Sequence, residues 1–394
     1  MARRQRGTGS IREKRPGVFE IKFDFGNDPV TGKRRTKYAS IKGNRREAEK
    51  ELRKRLREID TGDFVEPSKI TVKILLEHWI DHIRPPKIAP KTFERYEQLI
   101  NNNILPTLGE KKLDQLKGIH IDGAWSKLLH EGRKDGKGGL APQTVKHCHR
   151  LLKQALGQAV RWQLISRNPA DALETPRVIK KAINVLDAEQ TIALLDAIRE
   201  TQFYMPTLIA VMNGLRRGEV LALRWKHLDF DSGDMAVLQS LEQTKKGIRF
   251  KETKSKKPRH VVMPSLLISE LQKHKLEQAE ALLKLGIRQT GDTLVCCRYD
   301  GEPMNPENLS RQFPIAVVEA GLPRITFHTL RHSHATQMLT NGTHMKVASE
   351  RLGHSSIGIT MDLYSHILPG MQEEAAERVD NALRAALNNG SPTT

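Results

Sequence analysis

A tyrosine hydroxyl can attack a phosphodiester without a metal if cations hold the phosphate and a base takes the phenolic proton. The segment His328-Thr329-Leu330-Arg331, then Leu352-Gly353-His354, then Asp362-Leu363-Tyr364-Ser365-His366 gathers such groups around Tyr364, with Arg216 and Lys254 upstream. No other part of the chain concentrates phosphate-compatible groups in this way around one potential nucleophile. An arginine fork donates two parallel hydrogen bonds to non-bridging oxygens, so Arg216 and Arg331 could hold both and stabilise a pentacoordinate transition state. Lys254, between two predicted strands, could reach a leaving oxygen as general acid, and an imidazole could assist at the phenol. The set includes no carboxylate cluster for a metal.

The spacing constrains the elements that carry these groups. His328 and Arg331 are three apart and share a face if helical. His354 and Tyr364 are ten apart, roughly 15 Å along a straight helix. They can meet one ligand only if the chain turns back between them, and Ser355-Ser356-Ile357-Gly358 is the place for that turn.

The order Gly214-Leu215-Arg216-Arg217-Gly218-Glu219, Thr253-Lys254-Ser255, His328-Thr329-Leu330-Arg331-His332-Ser333, Leu352-Gly353-His354-Ser355-Ser356 and Asp362-Leu363-Tyr364 resembles the tyrosine recombinases of the phage-integrase family. The resemblance implies that Arg216 and Arg331 hold the scissile phosphate and that Lys254 protonates the 5′-hydroxyl leaving group. It gives His328 proton transfer at the nucleophile, His354 a phosphate oxygen, and Tyr364 the attack that forms a 3′-phosphotyrosine bond. Such an ester stores the bond energy, so neither cofactor nor metal is expected. Glu219 matches a residue that buttresses the catalytic arginine. A helix-start carboxylate favoured by the dipole is the other reading of it.

The expected fold is multidomain and mainly α with small β-sheets. Residues 1–66 read as an N-terminal three-stranded sheet plus one helix. Phe19, Ile21, Phe23 and Phe25 alternate with Glu20, Lys22 and Asp24, and Ala48, Leu52, Leu56 and Ile59 form the helix stripe that covers the aromatic face. Lys33, Arg35 and Lys37 share a face of the next strand, and with Arg12 and Lys22 they are the expected DNA contacts of a free charged face. This segment carries 19 Lys and Arg against 11 Asp and Glu. It resembles an arm-type DNA-binding domain.

Residues 67–176 read as mostly helical, with helices at 71–83, from Pro90 and from Pro142, and resemble the helical, SAM-like core-binding domain. Lys87, Lys91, Lys146, Arg150 and Lys153 are candidate phosphate contacts there. Residues 177–394 form a mixed α+β catalytic domain. Asp187-Ala188-Glu189-Gln190 is a capping box, and a helix from Phe203 to Asn213 ends at Gly214. Residues 229–264 form a meander with turns at 231–233, 245–247 and 256–258. Its run from Lys245 to Arg259 holds eight basic residues and one acid, including Lys256 and Arg259, a charge suited to phosphates. A tail helix at 372–388 is expected to dock on a neighbouring protomer.

With 394 residues, a formal charge of +19 and a pI near 9.8, the chain calls for an anionic partner, foremost nucleic acid. Three cysteines, two adjacent, form no disulfide framework. No apolar stretch is long enough for a membrane span. The resemblance implies a bacterial cytoplasmic, nucleoid-associated recombinase. It would act on core-type and arm-type double-stranded attachment sites through a Holliday junction, as a dimer per core site and a homotetramer on DNA. An excision factor and a host DNA-bending protein are possible partners. A catalytically silent DNA-binding regulator and a chromosome or plasmid resolvase stand as alternatives.

Overall fold

The computed structural model describes residues 9–27, 34–61, 69–179, 184–253 and 258–364, with 376–377, 379–381 and 383–385 in the tail. Lys33, Lys254, Lys256, the 256–257 part of the last predicted turn and most of the predicted tail helix lie outside the described residues, as do the side chains of residues 362–364. The chain divides into two compact units, Met1–Lys180 and Lys181–Thr394.

The first unit contains two separate hydrophobic clusters. In one, strands β1 (Ser10–Arg15), β2 (Val18–Asn27) and β3 (Arg34–Lys42) form an antiparallel sheet in that order. Helix α1 (Arg45–Asp60) starts at a reciprocal cap: Glu47 N–H donates to Asn44 Oδ1 at 3.0 Å, and Asn44 N–H to Glu47 Oε2 at 2.9 Å. Its Ala48 and Leu52 close over Ile21 and Phe23.

Register corrects the expectation for β3. Directly opposed residues share a face, and Lys37 stands opposite Phe23, Ala39 opposite Ile21 and Ile41 opposite Phe19. The Arg35 guanidinium lies 4.5 Å from the Phe25 ring centroid. Arg35 and Lys37 therefore belong to the helix-covered face rather than the free charged one. The strand period of two forces this once Ala39 and Ile41 turn to the core. The opposite face carries exposed Arg12, Lys22, Tyr38 and Lys42.

The second cluster is helical: α2 (Val72–His82), α3 (Pro90–Leu99), α4 (Leu105–Leu108), α5 (Gly118–Glu131) and α6 (Pro142–Arg161), with a π turn at Ile100–Ile104 joining α3 to α4. Leu75, Leu76, Trp79, Ile104, Leu152 and Leu156 fill it. Sequence reasoning did not single out α5, whose Gly118 and Gly123 weaken helix propensity and whose cap, Lys117, is no standard N-cap residue. Cys148 and His149 are core residues; Trp125 Nε1 donates to His149 Nδ1 at 3.3 Å. Arg150 and Lys153 are exposed and Lys146 half-buried on α6, and Lys153 pairs with Asp171 at 3.2 Å. Lys87 donates to the His82 carbonyl at 2.7 Å, and Lys91 lies 3.8 Å from Glu94.

The second unit opens with α7 (Ala188–Ala197), behind the predicted cap: Gln190 N–H donates to Asp187 Oδ1 at 2.8 Å. Helices α8 (Tyr204–Asn213) and α9 (Arg217–Val220) follow. The predicted meander is two sheets. Strands β4 (Leu228–Asp229), β5 (Asp234–Val237) and β8 (Arg259–Val262) pair in the order β4-β5-β8, while β6 (Gln239–Thr244) and β7 (Gly247–Glu252) form their own hairpin. Met235, Val237 and Val261 all alternate into the core, which brings β8 back to β5; the chain leaves that sheet at exposed Leu238. On the hairpin, nearly buried Glu242 accepts from Arg249 at 2.8 Å and from Lys251, which offsets part of the basic run. Helices α10 (Ser265–Lys284), α11 (Pro306–Glu319), α12 (Phe327–Thr340), α13 (Met345–Leu352) and α14 (Ile357–Tyr364) complete the unit. Among the described residues no helix is long and apolar enough to cross a membrane.

Candidate active site

Arg331 is placed by two packed helices. Helix α12 lies against α8, with Leu330 and Ala335 buried, and Ser333 Oγ accepts Leu186 N–H at 2.9 Å. Arg331 itself is 2% exposed and donates from Nη1 to the Gly214 carbonyl at 2.8 Å. Gly214 ends α8 with φ +66°, and a Cβ there would sit 2.6 Å from His334 Cδ2 and 2.8 Å from Leu352 Cδ2. Only glycine meets both the left-handed backbone and the lack of space. The tight turn delivers Arg216 two residues later.

Glu219 is the hub beneath Arg216. It is 2% exposed. Its Oε2 accepts the Arg216 backbone N–H at 3.0 Å, and its Oε1 the Arg216 Nη1 at 2.9 Å. Arg259, from β8, adds Nη1 to Oε1 at 3.2 Å and Nη2 to Oε2 at 2.7 Å. Burial pushes the carboxyl upward, but the bonds and charges of Arg259, then of Arg216, outweigh it and hold the pKa at about 2. Both readings of Glu219 thus hold, because it is the N3 carboxylate of α9 and the brace of Arg216. The second hand of Arg216, Nη2, donates to the Gly353 carbonyl at 2.9 Å.

Ser355 and Ser356 bend as the spacing required, whereas Ile357 and Gly358 already belong to α14; the chain first turns one residue before His354, at Gly353. Gly353 ends α13 with φ +65°, and α14 begins four residues later. His354 is half-buried, its Nδ1 2.8 Å from the buried Thr360 Oγ1. Its pKa is lowered to about 4 by desolvation and by Arg331, Arg216, His332 and Arg259. His328 keeps an exposed edge, yet packing and the neighbouring His332, Arg331, Arg216 and Arg217 lower it to about 4 as well. Both imidazoles are therefore neutral near pH 7 and able to accept a proton. Four of the six predicted residues, Arg216, His328, Arg331 and His354, fall within one field of positive charge. Tyr364 is the last residue of α14, and Lys254 falls between β7 and β8 in the sequence.

Arg259 is corrected as a DNA contact. It is about one-tenth exposed, and its guanidinium is committed to Glu219 and, through Nε, to the Arg351 carbonyl at 3.2 Å. Sequence reasoning did not single out His332, whose ring meets that of His328 edge-on at 5.0 Å. Its i,i+4 spacing from His328 was the available signal. It also missed His334 and Arg351, which hydrogen-bond at 3.3 Å beneath Gly214, and Thr360. Among the described residues no group of three or more His, Cys, Asp or Glu could hold a metal ion.

Residues 184–370, which span every part of this site, match the phage integrase family, and residues 71–129 match the phage integrase N-terminal SAM-like domain. The chain belongs to the phage integrase family. It is 26% identical to the ICEBs1 integrase of Bacillus subtilis over 95% of this chain and 100% of that one. It is 28% identical to a XerC-like tyrosine recombinase of Caldanaerobacter subterraneus subsp. tengcongensis over 86% of this chain and 90% of that one. The fold matches the Tn1549 transposon integrase solved with transposon right-end DNA (TM-score 0.67, 22% identity, 79% of this chain and 100% of that one). It also matches a lambda integrase dimer on a core site (TM-score 0.57, 19% identity, 92% and 96%). The multidomain, mainly helical architecture with small antiparallel sheets is that of phage-family integrases, and the protein is a tyrosine recombinase.

Proposed function

We propose that this recombinase integrates and excises a mobile element by metal-independent strand exchange at double-stranded attachment sites. The observation that carries the mechanism is the convergence of Arg216, His328, Arg331 and His354, from three segments, beside a short helix ending in Tyr364. Arg216 and Arg331 hold the non-bridging oxygens, and His354 donates a further hydrogen bond to the phosphate. The Tyr364 phenol loses its proton toward His328 as its oxygen bonds to phosphorus. The bond to the 5′ oxygen breaks, and Lys254 gives that oxygen a proton. The product is a 3′-phosphotyrosine and a 5′-hydroxyl. Attack by the 5′-hydroxyl of the partner duplex reverses the chemistry and makes a Holliday junction.

The same reading divides the chain into an arm-binding domain at 1–66, a core-binding domain at 67–176 and a catalytic domain at 177–394. It takes a dimer on each core site and a tetramer on the junction, in a bacterial cytoplasm with the nucleoid, aided by an excision factor and a host bending protein. Exposed Arg12 and Lys22, with Lys146 and Arg150, are its phosphate contacts. Titration of a suicide attachment site tests the chemistry. Wild-type protein should become covalently attached, whereas Tyr364→Phe should bind with unchanged affinity and form no adduct. An adduct with Tyr364→Phe rules the nucleophile out, and none with wild type leaves the silent regulator.

A further inference from the structure

We propose that Arg259 is a positioning residue for strand cleavage: by gripping Glu219 with its fork and the Arg351 carbonyl with Nε, it fixes Arg216 and the Gly353–His354 turn in one geometry. Three observations carry this, and they rest on the recombinase reading of the site.

The first is connectivity. Glu219 is held between two arginines, and Arg216 in turn grips the Gly353 carbonyl. Arg259 closes the circuit from the other side, through the carbonyl two residues before Gly353. Remove Arg259, and Arg216 keeps its bonds but loses the brace on its partner. The second is space. A Cβ at Gly353 would lie 3.0–3.1 Å from Arg259 Cδ, Cζ and Nε, so the guanidinium runs directly under the turn that presents His354. The third is position in the chain. Arg259 opens β8, five residues after Lys254 in the sequence, so the strand that follows the lysine is tied to Glu219 beneath Arg216. A planar, two-handed donor is needed for all of these bonds, and lysine cannot replace it.

The charged groups facing Glu219 are Arg216 from the start of its own helix and Arg259 from β8; His354, across the Gly353 turn, feels both arginines. Without Arg259, burial of Glu219 has only Arg216 to oppose it, and its carboxyl titrates at higher pH.

The test uses the full chain and a suicide attachment site, with Arg259→Lys and Arg259→Met compared to wild type. Single-turnover adduct formation at saturating protein should fall about 100-fold in Arg259→Met, the cost of a misplacement near 1 Å, while site affinity and its salt dependence stay at the wild-type value. Arg259→Lys, which keeps the charge, should not restore the rate. Both variants should lose further activity on the acid side, where wild type stays flat. In a Glu219→Gln background, Arg259→Lys should add little, because both changes break one circuit. Cleavage at the wild-type rate by Arg259→Met overturns the proposal. So does a variant that cleaves normally once saturated but binds with a shallower salt slope, the mark of a phosphate contact. Wild-type protein that forms no adduct overturns the recombinase reading and this role with it.

Discussion

At the scale of single residues, the site is built from charges that would be costly alone. Glu219 is buried with two arginines, and its folded pKa of about 2 lies below its ordinary value of 4.5. A carboxylate depressed on folding contributes stability that is fully present above the unfolded pKa and is lost as pH falls through the folded one. The window here runs from pH 4.5 down to about 2, and the shift corresponds to about 3 kcal/mol. Urea unfolding of wild type and Glu219→Gln across that window checks it. Wild type should lose about 3 kcal/mol more than the variant does as pH falls. At pH 7 the variant should start about 3–5 kcal/mol lower, because two arginines are left against a neutral amide. Parallel loss in the two proteins would mean that Glu219 does not carry the shift. The neutral, depressed histidines fit the same logic, since a site awaiting a phosphate gains nothing from adding cations to its arginines.

At the scale of elements, the turns decide whether these residues meet. The ten-residue gap between His354 and Tyr364 announced a bend, and Gly214 announced a helix end, so much of the catalytic skeleton was legible. Glycine, caps and i,i+3 pairs are local signals. Strand order and register are not local. The chain from Asp229 to Val262 reads as consecutive hairpins, yet β8 returns to β5 because Met235, Val237 and Val261 must share one core. The same global demand put Lys37 opposite Phe23 and buried Arg259 against a carboxylate 40 residues away. Gly353 tests the element directly. Gly353→Ala combines the left-handed backbone, worth about 1–2 kcal/mol, with a Cβ against Arg259. Gly342→Ala has the same backbone sign, φ +77°, and open space around it. Both should melt a few degrees lower, but only Gly353→Ala should lose adduct formation. Equal cleavage by the two would show that the turn does not set the geometry of His354.

At the scale of the whole molecule, the question is how a chain of charge +19 holds on to DNA and still performs chemistry at one phosphate. Most of that charge lies outside the site, and exposed lysines and arginines supply affinity that falls steeply with salt. Under the proposed function, binding and cleavage fall to different parts, and the two compact units, each with its own hydrophobic cores, offer that division a physical boundary. Residues 174–179 form no regular secondary structure, Arg177 is exposed, and Lys180 and Lys181 flank the division. Limited trypsin digestion of the free protein, beyond trimming at the two ends, should therefore cut first between Arg177 and Lys181. Mass spectrometry identifies the two fragments. Each should stay folded by itself, because neither borrows its core from the other, and the first should unfold in two steps, one for each of its separate clusters. If DNA is gripped by both units at once, a bound attachment site should slow this cut, and the covalent adduct should remain with the 181–394 fragment. First cuts within either unit would show that the boundary is not the weakest joint. An adduct carried by the first unit would place the nucleophile outside the catalytic domain.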